Sequence, residues 1–303
     1  MRTVTTNPPE FHTLDYSVTD GIATIKFARD ARRNALTFAM CMEIVEAFDL
    51  TDNDEDVRVV IVTGGETFCA GADLDDGFLV AGRDLTPDMT RYLELAGTVA
   101  GVPRDGGGFV SLRIASSLKP VIAAINGPAI GIGVTLTLPM DIRVAGETAR
   151  FGLVFTRRGL VPEAASSWFL PRLVGISRAL EWVTTGRIFS ATEAHAGGLV
   201  SYVVPDDQVL VKAEELAREI ADSTSPVAVA AARQMLWGML SQESPWAAHA
   251  VDSQAVYHLG AQPDVAEGVR AFREKRPARF AMRVLEHFPP YVLRWPGRPR
   301  DMK

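Results

Sequence analysis

Cysteine is scarce in this sequence, and its histidines are not clustered. The 303 residues include only two cysteines, Cys41 and Cys69, too few for a disulfide framework and without the paired spacing of a zinc site. The five histidines show no metal-ligand spacing, so we expect no bound metal. Two lone thiols are typical of a reducing compartment, which favours a cytoplasmic protein.

An excess of positive charge is also missing. The formal net charge is −6, whereas a general nucleic-acid binder needs a basic face to neutralise phosphates, so we expect no nucleic-acid partner. Hydrophobic residues make up 47% of the chain and charged residues 22%. This balance indicates a globular protein with one large core and a smaller appendage.

Long apolar runs are nearly absent. Residues 1–17 contain Pro8, Pro9 and Glu10 and no apolar stretch of the signal-peptide type. The segment 120–140 approaches the length of a membrane-spanning helix, but its prolines, glycines and Asn126 divide it into strand, turn and short helix. We therefore expect no membrane span.

Two glycine-centred turns are the most informative features present. One lies in Phe68-Cys69-Ala70-Gly71-Ala72-Asp73-Leu74 and the other in Asn126-Gly127-Pro128-Ala129-Ile130-Gly131-Ile132-Gly133. Each follows a short apolar run that predicts a buried strand, 59–63 and 121–125. Glycine lets the chain turn there with its N–H groups exposed. Two such turns facing each other would form an oxyanion hole, which stabilises negative charge developing on a carbonyl oxygen.

The remaining pattern alternates strands and helices. We predict a hairpin over 16–27, a helix over 37–53, a strand over 57–63, a short helix over 133–138 and a helix that begins near Ala164. The segment 75–113 has no readable pattern and is expected to be a long loop that shapes a pocket. From 205 onward we predict helices over 209–221, 226–240 and 264–275.

The order of these motifs resembles the enoyl-CoA hydratase/isomerase (crotonase) family over most of the chain. Further matches are Arg32-Arg33-Asn34-Ala35-Leu36, Asp141-Ile142-Arg143-Val144-Ala145, Phe151-Gly152, Gly159-Leu160-Val161-Pro162-Glu163 and Glu267-Gly268-Val269-Arg270-Ala271-Phe272. The resemblance implies an α/β fold, the crotonase (ClpP-like) spiral of ββα units with a C-terminal helical oligomerisation segment. Its expected divisions are a spiral core at 1–205 with the CoA and acyl site, a helical trimerisation segment at 206–280 and a basic, aromatic extension at 281–303. A homotrimer or hexamer is implied as well.

The resemblance also assigns the catalytic groups. The backbone amides of Ala72 and Ile132 match the family's oxyanion donors, and a helix start beside Ile132 would add a favourable dipole. The two glutamates that hold water in a typical hydratase correspond here to Thr135 and Phe155, and neither is a carboxylate. Glu163 matches the catalytic carboxylate of some Δ3-Δ2-enoyl-CoA isomerases. A single carboxylate suits proton transfer between two carbons, so an isomerase is the preferred interpretation.

Substrate contacts are carried over in the same way. No cofactor is expected to be bound permanently, because CoA would arrive as part of an acyl-CoA substrate. The positions implied for CoA binding are Arg32, Arg33, Ala70, Gly71, Asp73 and Gly131, together with Phe272 and Lys275, which would reach the CoA of an adjacent subunit. Arginine suits phosphate because its planar group presents paired donors. Asp73 and Asp141 are also expected to bond backbone groups at a turn and at a strand start.

Several alternatives remain open at this stage. Glu163 could instead be a surface residue that caps a helix. The enzyme could be a weak hydratase using Thr135 and Glu163, or a hydrolase of a CoA thioester or a β-diketone. A non-catalytic acyl-CoA-binding scaffold is the alternative outside enzymes. The basic, aromatic residues after Lys275 favour an arm lying on a neighbouring subunit or over the phosphates of CoA, rather than a site for nucleic acid or lipid.

Overall fold

A computed structural model describes residues 10–77, 79–82 and 84–297 of the chain. The strands are β1 (Leu14–Thr19), β2 (Ile22–Phe27), β3 (Val59–Thr63), β4 (Thr98–Val99), β5 (Val102–Pro103), β6 (Val121–Ile125), β7 (Pro128–Ile130), β8 (Ile142–Gly146), β9 (Arg150–Gly152), β10 (Ile188–Ser190) and β11 (Tyr202–Val204). The α-helices are α1 (Phe38–Asn53), α2 (Pro87–Ala96), α3 (Gly106–Ser116), α4 (Ile132–Thr135), α5 (Ser166–Val174), α6 (Ile176–Thr185), α7 (Ala191–Ala196), α8 (Val209–Ser223), α9 (Pro226–Met239), α10 (Pro245–Leu259), α11 (Pro263–Glu274) and α12 (Val284–His287).

The main sheet has the strand order β1-β2-β3-β6-β8-β11. The predicted hairpin is confirmed as the antiparallel pair β1 and β2, and the other pairs in this sheet are parallel. In the pairing of β3 with β6, Val60 lies opposite Val121 and Thr63 opposite Ala124. Parallel strands end at the same edge of a sheet. The two glycine-centred turns therefore leave the sheet side by side.

Both faces of the central strands are buried, as their continuous apolar runs require. Val60 and Val62 of β3 point into the larger core, whereas Val59 and Ile61 point to the opposite face. That opposite face is covered by α8 through residues that include Leu216. Helix α8 thus packs within the same chain, on the back of the sheet.

A buried arginine fixes α9 to the core. The Arg233 guanidinium lies 2.8 Å from Asp141 and also donates to the carbonyl oxygens of Ala115 and Ser117. Asp141 in turn accepts the backbone N–H of Val121 at 2.8 Å, which confirms its expected bond to the backbone near a strand start. The ion pair joins the helical segment to the start of β6 and β8.

The segment 75–113 is not the long loop that the sequence predicts. Within its described part it contains α2, the short pair β4 and β5, and most of α3. Helix α2 begins at Pro87 behind the side-chain cap of Thr86, and α3 begins behind Asp105. The prediction was wrong because three successive glycines read as a break, whereas here they form the first turn of a capped helix.

The described part of the chain beyond Lys275 packs against its own subunit, and an arm on a neighbouring subunit or over CoA stays a prediction. Met282, Val284 and Val292 are buried, and Trp295 stacks on Trp237 with 5.6 Å between ring centroids. Burying these apolar side chains within the chain is favourable because it removes apolar surface from water. The arginines at 298 and 300 lie outside the described residues.

Candidate functional site

The first turn follows β3 and is tied to the segment before α1. Gly71 has φ +114°, a value that glycine adopts without strain. The Leu36 N–H donates to the Gly71 carbonyl at 2.8 Å, and the Asp73 N–H donates to the Leu36 carbonyl at 2.8 Å. These bonds use the groups on either side of Ala72 and leave the Ala72 N–H directed elsewhere.

The second turn lies against the first. The Ile130 N–H donates to the Cys69 carbonyl at 2.9 Å, and a Cβ on Gly131 would lie 4.0 Å from the Gly71 Cα. Gly131 has φ +56°, and a Cβ on Gly133 would lie 2.3 Å from the Cys69 carbonyl oxygen. The close approach of the two backbones therefore requires glycine at Gly133.

The amides of Ala72 and Ile132 are the two groups that the sequence predicts as oxyanion donors. Among the described residues, neither N–H donates to another group of the protein. Ile132 is the first residue of α4, which has four residues and starts one position before the predicted helix. Both residues line the same two cavities described below. A ligand oxygen placed there would meet two unused donors.

Glu163 stands at the tip of a tight turn that precedes α5. The next two residues, Ala164 and Ala165, have φ of 62° and 53°, an arrangement that alanine adopts at a cost. Helix α3 holds this turn at both ends: Asp105 Oδ1 accepts the Ala164 N–H at 3.1 Å, and Ser111 Oγ donates to the Ala164 carbonyl at 2.8 Å. The helix expected near Ala164 begins at Ser166.

The Glu163 carboxyl group is covered at one oxygen and bonded at the other. Thr135 Oγ1 donates to Oε1 at 2.6 Å, while Oε2 is buried and has no donor among the described residues. The pKa of Glu163 is raised to about 8, chiefly by burial; the hydrogen bond from Thr135 lowers it, and the nearby Asp105 contributes to the rise. This is not a surface residue that caps a helix.

Two cavities meet at this carboxyl group, with volumes of about 210 and 120 Å³. They share Ala72, Ile132 and Glu163. The larger is lined further by Leu36, Thr37, Phe38, Cys41, Asp76, Gly77, Leu79, Pro103, Arg104, Asp105, Gly106 and Gly107. The smaller is lined further by Ala70, Gly71, Leu74, Ile130, Gly131, Val154, Phe155, Arg158 and Leu160. The structure thus brings all three predicted catalytic residues to one place.

The positions that correspond to the hydratase glutamates also lie at the site. Phe155 lines the smaller cavity, and Thr135 is buried behind Glu163. Phenylalanine has no polar atom, and the threonine hydroxyl is already bonded to Glu163. Neither position supplies a second base.

The predicted CoA-binding positions fall into two groups. Ala70, Gly71 and Gly131 line the smaller cavity. Asp73 is buried and paired with Arg29 at 3.0 Å and with Arg32 at 3.1 Å. Burial disfavours the ionised form of Asp73 and so acts to raise its pKa. Its bonds to these two arginines outweigh that effect and hold the pKa below the ordinary value. Asp73 therefore anchors the arginines at the first turn.

The other predicted contacts do not line the two cavities. The Arg33 backbone has φ 50°, and its carbonyl accepts the Ala70 N–H at 3.0 Å. Phe272, on α11, and Lys275, directly after it, are exposed and line neither cavity. Their expected contact with the CoA of an adjacent subunit stays a prediction.

Asp105 and Gly107 belong to the site and were missed by sequence reasoning. Asp105 lines the larger cavity together with Glu163 and accepts the N–H of the next residue, Ala164, at 3.1 Å. A Cβ on Gly107 would lie 1.4 Å from Glu163 Oε2, so only glycine leaves room for that oxygen. The position of Asp105 directly before a helix start was the available signal for its role as a cap. Its proximity to Glu163 depends on the tertiary fold, and the sequence gives no signal for it.

Metal and membrane features are absent from the part of the chain that the structure describes. No group of three His, Cys, Asp or Glu side chains there is arranged to hold a metal ion. Helices that are both long and apolar enough to span a bilayer are likewise not found among those residues.

Comparison with known proteins agrees with this architecture. The family model for enoyl-CoA hydratase/isomerase matches residues 17–283. Enoyl-CoA hydratase ACTT3 of Alternaria alternata is 42% identical over 263 residues, covering 86% of this chain and 83% of that protein. The 1,2-epoxyphenylacetyl-CoA isomerase of Escherichia coli K12 is 33% identical over 267 residues, covering 87% of this chain and 96% of that protein.

A solved structure extends the agreement to three dimensions. The enoyl-CoA hydratase of Bacillus anthracis matches with a TM-score of 0.77 at 33% identity, covering 88% of this chain and 98% of that one. The predicted fold class is thereby confirmed. With its paired glycine turns and its matching sequence, the chain belongs to the enoyl-CoA hydratase/isomerase family.

Proposed function

We propose that this protein is a Δ3-Δ2-enoyl-CoA isomerase that uses Glu163 to carry the proton. The observation that supports this most directly is the position of the Glu163 carboxyl group, in the cavity wall beside the unused amides of Ala72 and Ile132. Thr135 and Phe155 leave the usual hydratase positions without a carboxylate. One proton carrier beside one oxyanion site is what double-bond migration requires.

The proposed reaction needs no group beyond those of the chain and its substrate. The thioester oxygen of a 3-enoyl-CoA accepts the N–H groups of Ala72 and Ile132. The Glu163 carboxylate takes a proton from C2, and the electrons of that C–H bond pass into a dienolate. Glu163 then returns the proton to C4, which forms the 2-enoyl thioester and regenerates the carboxylate. The two amides stabilise the dienolate more than the ground state because its oxygen carries more charge.

Burial of Glu163 suits this task. A carboxylate whose pKa is about 8 is a stronger base than an exposed glutamate, so it accepts a carbon-bound proton more readily. The same shift leaves only about one tenth of the free enzyme charged at pH 7. We therefore expect kcat/KM to rise with pH and to level off above about pH 8, as Glu163 loses its proton.

The larger cavity is the proposed site of the acyl chain. Leu36, Phe38 and Leu79 give its wall apolar surface, as a hydrocarbon chain requires. The glycines Gly71 and Gly131 line the smaller cavity, where backbone can approach a narrow pantetheine arm closely. Glu163 lies where the two meet, which is where the reacting carbons of a thioester would be.

Hydration is the second candidate, since relatives such as the Alternaria protein are named enoyl-CoA hydratases. The Thr135 hydroxyl still has lone pairs that can accept a hydrogen bond from a water molecule. Glu163 would activate that water. The Thr135 side chain cannot take up a proton itself. We expect this reaction to be slow.

The deciding experiment incubates the purified protein with 3-hexenoyl-CoA and with crotonyl-CoA. We expect migration of the double bond in the first and little addition of water to the second. Glu163→Gln should abolish migration while the thioester still binds, and Glu46→Gln, on the exposed side of α1, is the matched control. Hydration of crotonyl-CoA at a higher rate than migration in 3-hexenoyl-CoA would refute the isomerase function. Binding without conversion would support a scaffold, and release of CoA would support a hydrolase.

We infer in addition a homotrimer or hexamer in the cytoplasm. Large apolar side chains stay exposed on the C-terminal helices, among them Leu236, Trp246, Tyr257 and Phe272. Patches of this kind commonly mark subunit contacts. The two free thiols, both buried, are compatible with a reducing compartment. Light scattering during gel filtration would give the subunit number, and a monomer would contradict it.

A further inference from the structure

A second carboxyl group lies against Glu163. Asp105 precedes α3, and its Oδ1 accepts the N–H groups of Gly108 at 2.5 Å and Ala164 at 3.1 Å. Asp105 is exposed and lines the larger cavity together with Glu163, and it is bonded to the residue that directly follows Glu163. Asp105 thus joins a covered carboxyl group to the open cavity.

Two ionised carboxylates placed side by side repel each other, and neither has a hydrogen to donate. One proton between them turns the repulsion into a hydrogen bond. Asp105 Oδ1 already receives two backbone donors, whereas Glu163 Oε2 is buried without one among the described residues. This difference in hydrogen bonding favours Glu163, rather than Asp105, as the group that carries the proton.

We propose that Asp105 is a positioning residue that holds a proton on Glu163 and sets the pH above which Glu163 acts as a base. The proposal rests on the isomerase function inferred above. It gives this chain a pair of carboxyl groups in which Glu163 meets the substrate and Asp105 acts through Glu163. The exposed side of Asp105 also gives the proton a path to solvent.

Other polar groups near Glu163 do not explain such a role. The pKa of Cys69 is raised to about 12 by burial, and burial also raises the pKa of Cys41 and of Tyr92, so all three are neutral at the working pH. Thr135 does not titrate. The remaining charged groups on the cavity walls are Asp76 and Arg104 in the larger cavity and Arg158 in the smaller.

The test measures the pH profile of kcat/KM with 3-hexenoyl-CoA for the full-length enzyme. Asp105→Asn keeps an oxygen for the two backbone donors but removes the charge, and Asp105→Ser keeps a helix cap without an amide. In both variants we expect the apparent pKa to fall by about one unit, since a neighbouring negative charge is lost. At pH 6 the rate, as a fraction of its own plateau, should then rise about tenfold.

Asp76→Asn is the matched control, because Asp76 is a carboxylate of the same cavity that accepts the Phe38 N–H instead. The apparent pKa of kcat/KM in this variant should stay at the wild-type value. An unchanged pKa in both Asp105 variants would overturn the proposal, as would failure of both to fold, which would make Asp105 only a structural cap.

A measurement that needs no turnover separates this inference from the proposed function. Infrared difference spectra of the free enzyme should show a protonated carboxylic acid at pH 7 that is lost in Glu163→Gln. In Asp105→Asn that signal should disappear at a lower pH than in the wild type. If Glu163→Gln still isomerises, the proposed function fails. If Glu163→Gln is inactive but Asp105→Asn titrates like the wild type, only the role of Asp105 fails.

Discussion

Replacing Gly107 by alanine should displace the reacting carboxylate while leaving the fold intact. The new Cβ would lie 1.4 Å from Glu163 Oε2, and heavy atoms essentially never approach a Cβ closer than 3.0 Å. The end of the Glu163 side chain must therefore move by about 1.6 Å. Misplacement of a catalytic group by about 1 Å costs roughly a hundredfold in rate, so we expect a loss of at least about that size.

The stability of the same variant should change little. Alanine within a helix is favoured over glycine by about 1 kcal/mol, which offsets part of the cost of moving the carboxyl group. Gly238→Ala, on α9, is the matched control, because its Cβ would meet only ordinary contacts with Trp295 at 3.8 Å or more. That variant should keep full isomerase activity.

A double-mutant cycle tests the cause of the loss. If the clash with Glu163 is responsible, Gly107→Ala should stabilise the chain more in a Glu163→Ala background than in the wild type, by about 1 kcal/mol or more in urea unfolding. Equal effects in the two backgrounds, or activity within threefold of the wild type, would refute the reasoning. Either result would mean that Gly107 makes room for something other than the carboxylate.

Three further outcomes are expected. In the unfolded chain Glu163 loses its proton near the ordinary pKa of 4.5, but in the folded chain only near 8, so the free energy of unfolding should fall by about 5 kcal/mol as pH rises between these values. Urea titrations should show a smaller fall in Glu163→Gln. The double change Thr135→Glu with Phe155→Glu should raise hydration of crotonyl-CoA at least about tenfold, and no gain would show that these positions do not face the reacting carbons. Trp295→Ala should cost about 3 kcal/mol in urea unfolding, because it removes a ring stacked on Trp237, and a loss below 1 kcal/mol would mean that the C-terminal segment adds little.

Local patterns predicted the elements that depend on local chemistry. Helix α1 begins one residue after its predicted start, and the Thr37 side chain caps it. The apolar run 121–125 is strand β6, with the same bounds. The two glycine turns were readable because their conformations need glycine whatever surrounds them. Glu163 was located by resemblance, and its burial follows from the tertiary fold rather than from its apolar neighbours alone.

The failures have two physical causes. Helix α10 was missed because its apolar side chains do not form one stripe: Trp246, Val256 and Tyr257 all remain exposed. Helix α3 was taken for a loop because its glycines disfavour a helix locally, although Gly107 is needed by Glu163, far along the chain. Asp105 was overlooked for the same reason. Contacts between distant segments decide the roles of Gly107 and Asp105, and no short-range pattern reports such contacts.

The turn that carries Glu163 is tied to α3 and its cap, because Asp105 accepts the Ala164 N–H and Ser111 donates to the Ala164 carbonyl. The same helix contributes Gly106 and Gly107 to the wall of the larger cavity. An acyl group that presses on this wall would therefore shift the carboxylate even without touching it. Chain length and branching would then be sensed mechanically, so that poorly fitting substrates bind yet react slowly.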